Sequence, residues 1–400
     1  MSSLIVEVCR IDAIKPHPNP EVERLEIAVV KGWEIIVQKD TLRAGDTAVY
    51  FPPDSLMPRS LARELGIEKY VSWGARYRDP VDELLDMGRI TAAKLKGAYS
   101  YGTLMENKDN LPVGTDVAEK LSIGKWEPPP PKTGRPGASG EQARQCPLFF
   151  KYYDIENARN FPNDIEPGEE VVATEKIHGM HARISFTEEN GRPVLMIGSH
   201  NTRRKRACDY ENWFTRRPWV QRLLKKLPRF IKKKIKWALV DLASIKMDRT
   251  FELPLILYPQ IEEMLKDVYG RYVTRSVVLY GEIYGAGIQD LTYGLKDVNF
   301  RAFDLSQNNN YLDYDDFREI CKQYTIPMVP ELFRGAFDFA AMSDLADGPT
   351  RLMEAPAAKD MREGIVVRTV RERRTPKHTR ACLKFVSPAY LTRKGGTEEH

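Results

Sequence analysis

Residues 126–140 read Trp-Glu-Pro-Pro-Pro-Pro-Lys-Thr-Gly-Arg-Pro-Gly-Ala-Ser-Gly. Five prolines and three glycines in this stretch exclude a helix or a central strand. The proline run favours stiff polyproline II, and the Gly/Ser end is flexible. A single packed core cannot run through such a segment, so the chain divides there. The expected layout is a first domain over 1–125, a linker over 126–145, a second domain over 146–392 and a flexible tail over 393–400. Both domain lengths suit one core each.

The first segment carries short β-branched runs at 4–14, 25–30, 33–38, 47–51 and 89–95. Turn signals separate them, among them Lys31-Gly32, Ala44-Gly45-Asp46 and Pro52-Pro53-Asp54. Many short strands in so short a segment predict a small barrel. An OB-type barrel is the commonest of these that also binds nucleic acid, although an SH3-like barrel fits the composition equally. The second segment mixes strands at 170–174, 182–186, 194–198 and 277–280 with helical periods at 219–237, 315–324 and 337–347, which predicts an α+β domain. Pro228 must kink or split the first of those helices.

Net charge is only +5, but its distribution is uneven. From Arg203 to Trp237 fourteen Lys/Arg face only Asp209 and Glu211, a local +12 that leaves the rest mildly acidic. Such a patch points to a specific anionic partner. Three readings stay open: a solvated helix face, a membrane-surface helix, or a surface that tracks duplex phosphates. Pro228 weakens the membrane reading. The duplex reading rests on Arg216, Arg217, Lys225 and Lys226, with Trp213, Trp219 and Trp237 nearby. A second basic stretch, 369–380, holds five Lys/Arg and reads as a solvated hairpin end that can meet substrate.

The five cysteines are scattered and form no CxxC, which argues against a disulfide framework or a structural zinc site. Neither a signal peptide nor an 18-residue apolar run is present in the sequence. The expectation is a monomer in a reducing, cytoplasmic setting with no membrane partner.

Lys176 follows a buried-type strand and precedes His178-Gly179, which alone is weak. Four later segments strengthen it. They are 279–285 with Glu282, 300–305 with Phe303-Asp304, 362–368 with Glu363-Gly364, and 381–385 with Lys384. Each alone is a charged residue at a strand edge. In this order they resemble the five motifs of the covalent nucleotidyltransferases, the polynucleotide ligases and mRNA capping enzymes. Glu175-Lys176-Ile177-His178-Gly179, the stretch 153–157, and 285–294 with Gln289-Asp290-Leu291-Thr292-Tyr293 are similar to the Deinococcus-type RNA ligases, which seal nicks and carry an N-terminal OB-type domain. The resemblance spans nearly the whole chain and is least marked in the basic insert, 203–272.

The resemblance implies an OB-like barrel followed by a nucleotidyltransferase domain of ATP-grasp-like antiparallel sheets with helices. It implies ATP, Mg²⁺ or Mn²⁺, and a nicked RNA or RNA/DNA duplex. Lys176 would be the nucleophile, Glu282 would hold the ribose, Phe303 would stack on adenine, Glu363 would help place the metal and Lys384 would contact the α-phosphate. Glu175, His178 and Gly179 complete the expected ATP site. Arg203, with Arg204 as the alternative, is the expected phosphate-contacting arginine.

Two positions depart from the family pattern. Cys382 stands where many relatives have a first lysine, so either Lys384 suffices or a nearby arginine such as Arg380 supplies the charge. His181 stands where RNA ligases often have asparagine. The rival readings are a catalytically silent nucleic-acid-binding protein of the same fold, a DNA ligase, or a capping guanylyltransferase. The last would carry its OB domain after the nucleotidyl domain.

Overall fold

A computed structural model describes residues 4–78, 84–126, 142–206, 250–271, 274–353, 360–375, 380–393 and 396–397. The predicted helix over 219–237, and with it Arg216, Arg217, Lys225 and Lys226, lies outside the described residues.

The first domain is built on two three-stranded antiparallel sheets. Glu7–Arg10, Thr47–Phe51 and Thr103–Glu106 form one. Ala13–Pro16, Leu25–Val30 and Trp33–Gln38 form the other. Lys31 and Gly32 join its last two strands with φ of 50° and 72°, the left-handed pair that a two-residue hairpin needs to match strand twist. Beyond the expected barrel there is a further sheet, in which Ser55–Pro58 pairs with Leu84–Arg89 and that in turn with Ser72–Arg78. The helix Arg59–Glu64 packs against it, and Met57, Ala62 and Val71 share a core with Val8 and Phe51 of the barrel. Charged residues interrupt these strands, so they lack the clean alternation that marks a strand in sequence.

The second domain is two sheets face to face. One runs in the order Glu156–Asn157, Cys382–Val386, Gly364–Thr369, Glu170–Lys176, Glu331–Ala336. The other runs Arg203–Arg204, Arg192–Gly198, Met180–Glu189, Ser276–Gly285, Val298–Gln307, Asn310–Tyr311. All pairings are antiparallel except the short Glu156–Asn157 strand, which runs parallel to Cys382–Val386. Only Ile177-His178-Gly179 separate the end of Glu170–Lys176 from the start of Met180–Glu189. The chain therefore crosses from one sheet to the other at the lysine.

Strand periodicity sorts the faces. Val171, Ala173, Ile365, Val367, Leu383 and Phe385 form the outer core of the first sheet, under Phe337 and Met342. Ala182, Ile184, Val277, Leu279 and Ile283 form the outer core of the second, under Met264 and Leu265 of helix Gln260–Arg271 and Phe317 of helix Tyr314–Gln323. The intervening residues, including Lys176, Lys384, Glu282 and His181, point into the space between the sheets.

The two domains share a core. Tyr390 and Leu391 of the short helix Pro388–Thr392 pack with Ala28, Val30, Trp33, Ile35 and Tyr50 of the barrel. Arg159 stacks 4.1 Å over Trp33, donates 2.5 Å to the Gly32 carbonyl and 2.7 Å to Ser343 Oγ. The segment expected as a flexible tail is instead tied down where it is described. Gly396 O accepts from Arg89 at 2.8 Å, and Thr397 Oγ1 donates to Asp54 at 2.7 Å. The barrel side of the linker is fixed as well, with Trp126 3.5 Å beneath the Arg89 guanidinium.

Candidate active site

Lys176 ends its strand opposite Gly364, and Glu363 immediately precedes that glycine. A Cβ at Gly364 would lie 2.1 Å from the Phe385 carbonyl oxygen, so only glycine lets the strands close here. The result is an ion pair between Lys176 Nζ and Glu363 Oε1, with the Glu363 side chain fully buried. Across the cleft Glu282 pairs in register with His181. A Cβ at Gly179 would come within 2.4 Å of the Ile283 carbonyl oxygen and 2.8 Å of Glu282 Cγ. Glycine therefore sets how near the turn after Lys176 approaches the second sheet.

Glu282 is pushed up to about 8. Burial is the main cause, the Glu363 carboxylate adds to it, and Lys176 and the Gly179 backbone oppose it. A buried carboxylate pair with a lysine beside it is an arrangement that a bound cation or a substrate hydroxyl would relieve. Lys384 lies on the same face, paired with Val366 next to the Lys176 strand, and is buried. Phe303 is partly exposed, its ring edge-on to Tyr152 at 5.1 Å and to His181 at 5.4 Å. Lys176, Glu282 and Glu363 thus interact directly, with Lys384 on the same sheet face as Lys176 and Phe303 on the strand beside that of Glu282.

Other expected residues sit differently. Glu175 turns to the opposite face from Lys176, as alternation requires. Thr350 Oγ1 donates to its Oε1 at 2.5 Å and the Arg351 backbone N–H to its Oε2 at 2.7 Å. Burial raises its carboxyl, and these hydrogen bonds oppose the rise. Glu175 holds the loop at 350–352 from the face opposite Lys176. Arg203 forms a bidentate pair with Glu189, at 2.5 and 3.1 Å, and donates to the Arg144 carbonyl at 3.1 Å. That pair places the guanidinium at the sheet edge. Arg204 lies 5.5 Å over the Phe251 ring.

Cys382 shares the inner face with Lys384, and its thiol, pushed up by burial, sits among Arg380, Arg368 and Tyr153. Arg380 is not spare charge for the cleft. It contacts Asp304 at 2.6 Å and Glu372 at 2.5 Å, and lies 3.8 Å over Tyr311. Arg368 completes this buried cluster, 3.0 Å from Asp304. His181 sits 5.0 Å from His200, with its Nε2 buried and unpartnered. Burial, with His200 and Arg183, holds that ring well below the usual histidine range, so it is neutral.

Residues that sequence reasoning left aside surround His178. Its Nε2 lies 2.7 Å from Asp290 Oδ1, its Nδ1 3.0 Å from Tyr390 Oη, and its backbone N–H donates to Tyr293 Oη at 2.6 Å. Asp290 and Tyr293 lie in the 285–294 stretch that the sequence singled out, but nothing local to Tyr390 marks it.

A sequence profile of the RNA ligase family matches residues 169–386, and one of an OB-fold domain matches residues 5–105. No curated protein matches the sequence. Among solved structures, an apo mutant of Naegleria gruberi RNA ligase superposes with a TM-score of 0.67 at 21% identity, covering 97% of each chain. Another mutant of the same ligase, with ATP and Mn, gives 0.65 at 22% identity, covering 97% of this chain and 98% of that one. The Naegleria gruberi RNA ligase with PPi gives 0.65 at 23% identity over the same shares.

Proposed function

Because this chain belongs to the RNA ligase family, we propose that it is an ATP-dependent ligase that seals 3′-hydroxyl/5′-phosphate nicks in duplexes with an RNA 3′-hydroxyl strand. The observation that carries the reading is the convergence of Lys176, Glu363, Glu282 and Lys384 on one cleft at the crossing between the two sheets. The likeness to Naegleria structures that hold ATP, Mn or PPi supports it.

Lys176 Nζ, as the neutral amine, attacks the α-phosphorus of ATP. The Nζ–P bond forms, the bond to the bridging oxygen breaks, and pyrophosphate leaves. The oxygen of a nucleic-acid 5′-phosphate then takes the AMP from Nζ. Finally a 3′-hydroxyl attacks that activated phosphate, and AMP departs. Each step is an in-line displacement, so the protein contributes mainly position and charge. Lys384 faces the developing charge on the α-phosphate, Glu282 accepts from the ribose hydroxyls, and the open side of Phe303 takes the adenine. The donors suit a divalent cation: Glu363 offers hard carboxylate oxygen, and the pressure between its charge and Glu282 is what such an ion relieves. When bound, Mg²⁺ or Mn²⁺ would neutralise charge on the phosphates.

The substrate duplex is assigned to the barrel and the basic insert. The buried, unbridged thiols of Cys9, Cys146, Cys321 and Cys382 support a reducing compartment. The test is incubation with α-labelled ATP or α-labelled GTP and a divalent metal, followed by a denaturing gel. Covalent label from ATP alone, discharged by a nicked RNA duplex with sealing, is the expected result. Label from GTP would make the chain a guanylyltransferase, and no label from either would make it a binding protein.

A further inference from the structure

His178 sits directly behind Glu363. Its Nδ1 is 3.7 Å from Glu363 Oε2, while the other oxygen of that carboxylate holds Lys176. Asp290 Oδ1 lies 2.7 Å from Nε2 and the Tyr390 hydroxyl 3.0 Å from Nδ1, so both ring nitrogens are held by hydrogen bonds. Tyr390 is fully buried, and that burial keeps its hydroxyl protonated and able to donate. Arg393 closes the circle: it forms an ion pair with Asp290, lies 4.2 Å over the Tyr390 ring and comes within 3.5 Å of His178 Nε2. The helix bearing Tyr390 is also bonded to Glu363 itself, through a 2.8 Å hydrogen bond from the Ser387 N–H to the Glu363 carbonyl. On its other side that helix is part of the barrel core.

We infer that Tyr390, Asp290 and Arg393 are positioning residues that lock the His178 ring behind Glu363 and so fix the direction in which the Glu363 carboxylate faces the cleft. The barrel, packed on Tyr390 and Leu391, keeps this lock in place. It therefore takes part in the first chemical step without touching the lysine. This rests on the adenylylation chemistry proposed above. The physical basis is that of outer residues around any charged catalytic group. A carboxylate whose supporting ring is free to turn samples more orientations, and loss of such support costs about 10–100-fold.

The experiment measures the single-turnover rate of covalent AMP formation by the full chain, with the ATP dependence and a thermal melt for each variant. Tyr390→Phe keeps the ring in the barrel core and removes only the hydroxyl. It should slow labelling at saturating ATP by about tenfold or more and leave the KM for ATP within about twofold. Asp290 is largely exposed, so its variants carry little folding risk. Asp290→Ala should match Tyr390→Phe, and Asp290→Asn, which keeps an acceptor for Nε2, should recover most of the rate. Leu391→Ala leaves every hydrogen-bond partner but loosens the barrel contact, and should slow labelling at least about threefold. Wild-type rates in Tyr390→Phe and Asp290→Ala would overturn the lock. A wild-type rate in Leu391→Ala would remove the barrel from it. Absence of label in the wild-type chain would instead overturn the adenylylation chemistry itself.

Discussion

Two buried groups of charge lie between the same two sheets and have opposite electrostatics. Around Asp304, two guanidiniums face two carboxylates: Arg368 and Arg380 against Asp304 and Glu372. Burial alone would raise Asp304, yet the two arginines and the Tyr152 hydroxyl hold it below the usual carboxylate range. Around Lys176, Glu282 is pushed up to about 8, because burial and Glu363 outweigh the lysine. Neighbouring charge thus lowers one carboxyl and leaves the other raised. The first arrangement is that of a structural cluster, and the second fits the site proposed above.

That contrast breaks first at the lysine. Lys176→Ala should abolish covalent AMP labelling on a denaturing gel. Persistent labelling would place the nucleophile elsewhere. Asp304→Ala should act on stability instead. It strands two buried guanidiniums and should cost about 3–5 kcal/mol in denaturant unfolding, and a cost below about 1 kcal/mol would show that the cluster is wet and weak.

Within the inner face, Lys384→Ala should reduce labelling by about 10²-fold, the cost of one transition-state charge contact, and Cys382→Ala by no more than about twofold. A severe Cys382→Ala defect would mean that the Asp304 cluster reaches into the chemistry.

The smallest effect is in pH. The folded-state value of Glu282 lies above its ordinary one, so its contribution to stability is complete in acid and is lost as pH rises toward 8. Glu282→Gln should therefore raise the melting temperature of the ligand-free protein at pH 8 by roughly 2–4 °C, about 1 kcal/mol for a partly exposed group, and leave it unchanged near pH 5. A gain of equal size at both pH values would refute the assignment of that cost to ionisation.

Lys176, Glu282 and Glu363 could be placed because each sits at a strand end or beside a glycine, where local pattern fixes both face and turn, and Lys384 because it alternates with Leu383 and Phe385 in mid-strand. Glu175 shows the limit of a motif taken as a block. Strand alternation alone would have sent it to the far side from Lys176, onto Thr350 and Arg351. The pairing of Arg203 with Glu189 was not legible, because opposite charges in sequence do not declare which of them will meet. The Tyr390–His178 contact spans 212 residues, and no periodicity reaches that far. The union of barrel and cleft was hidden for the same reason. The Pro/Gly-rich stretch reads as a break in the chain, but such a reading does not divide the core, as Trp33 and Leu391 demonstrate.

The lateness of the Cys382–Val386 strand and the Pro388–Thr392 helix has a consequence for biosynthesis. These elements complete the sheet beside Lys176 and supply Lys384, Tyr390 and Arg393. During translation the barrel emerges first and can fold while the second domain is still being made. Until residue 393 has left the ribosome, the nascent chain holds Lys176 without the strand and helix that finish its surroundings. On the chemistry proposed above, covalent capture of nucleotide at Lys176 would thus have its full surroundings only once these last elements are made.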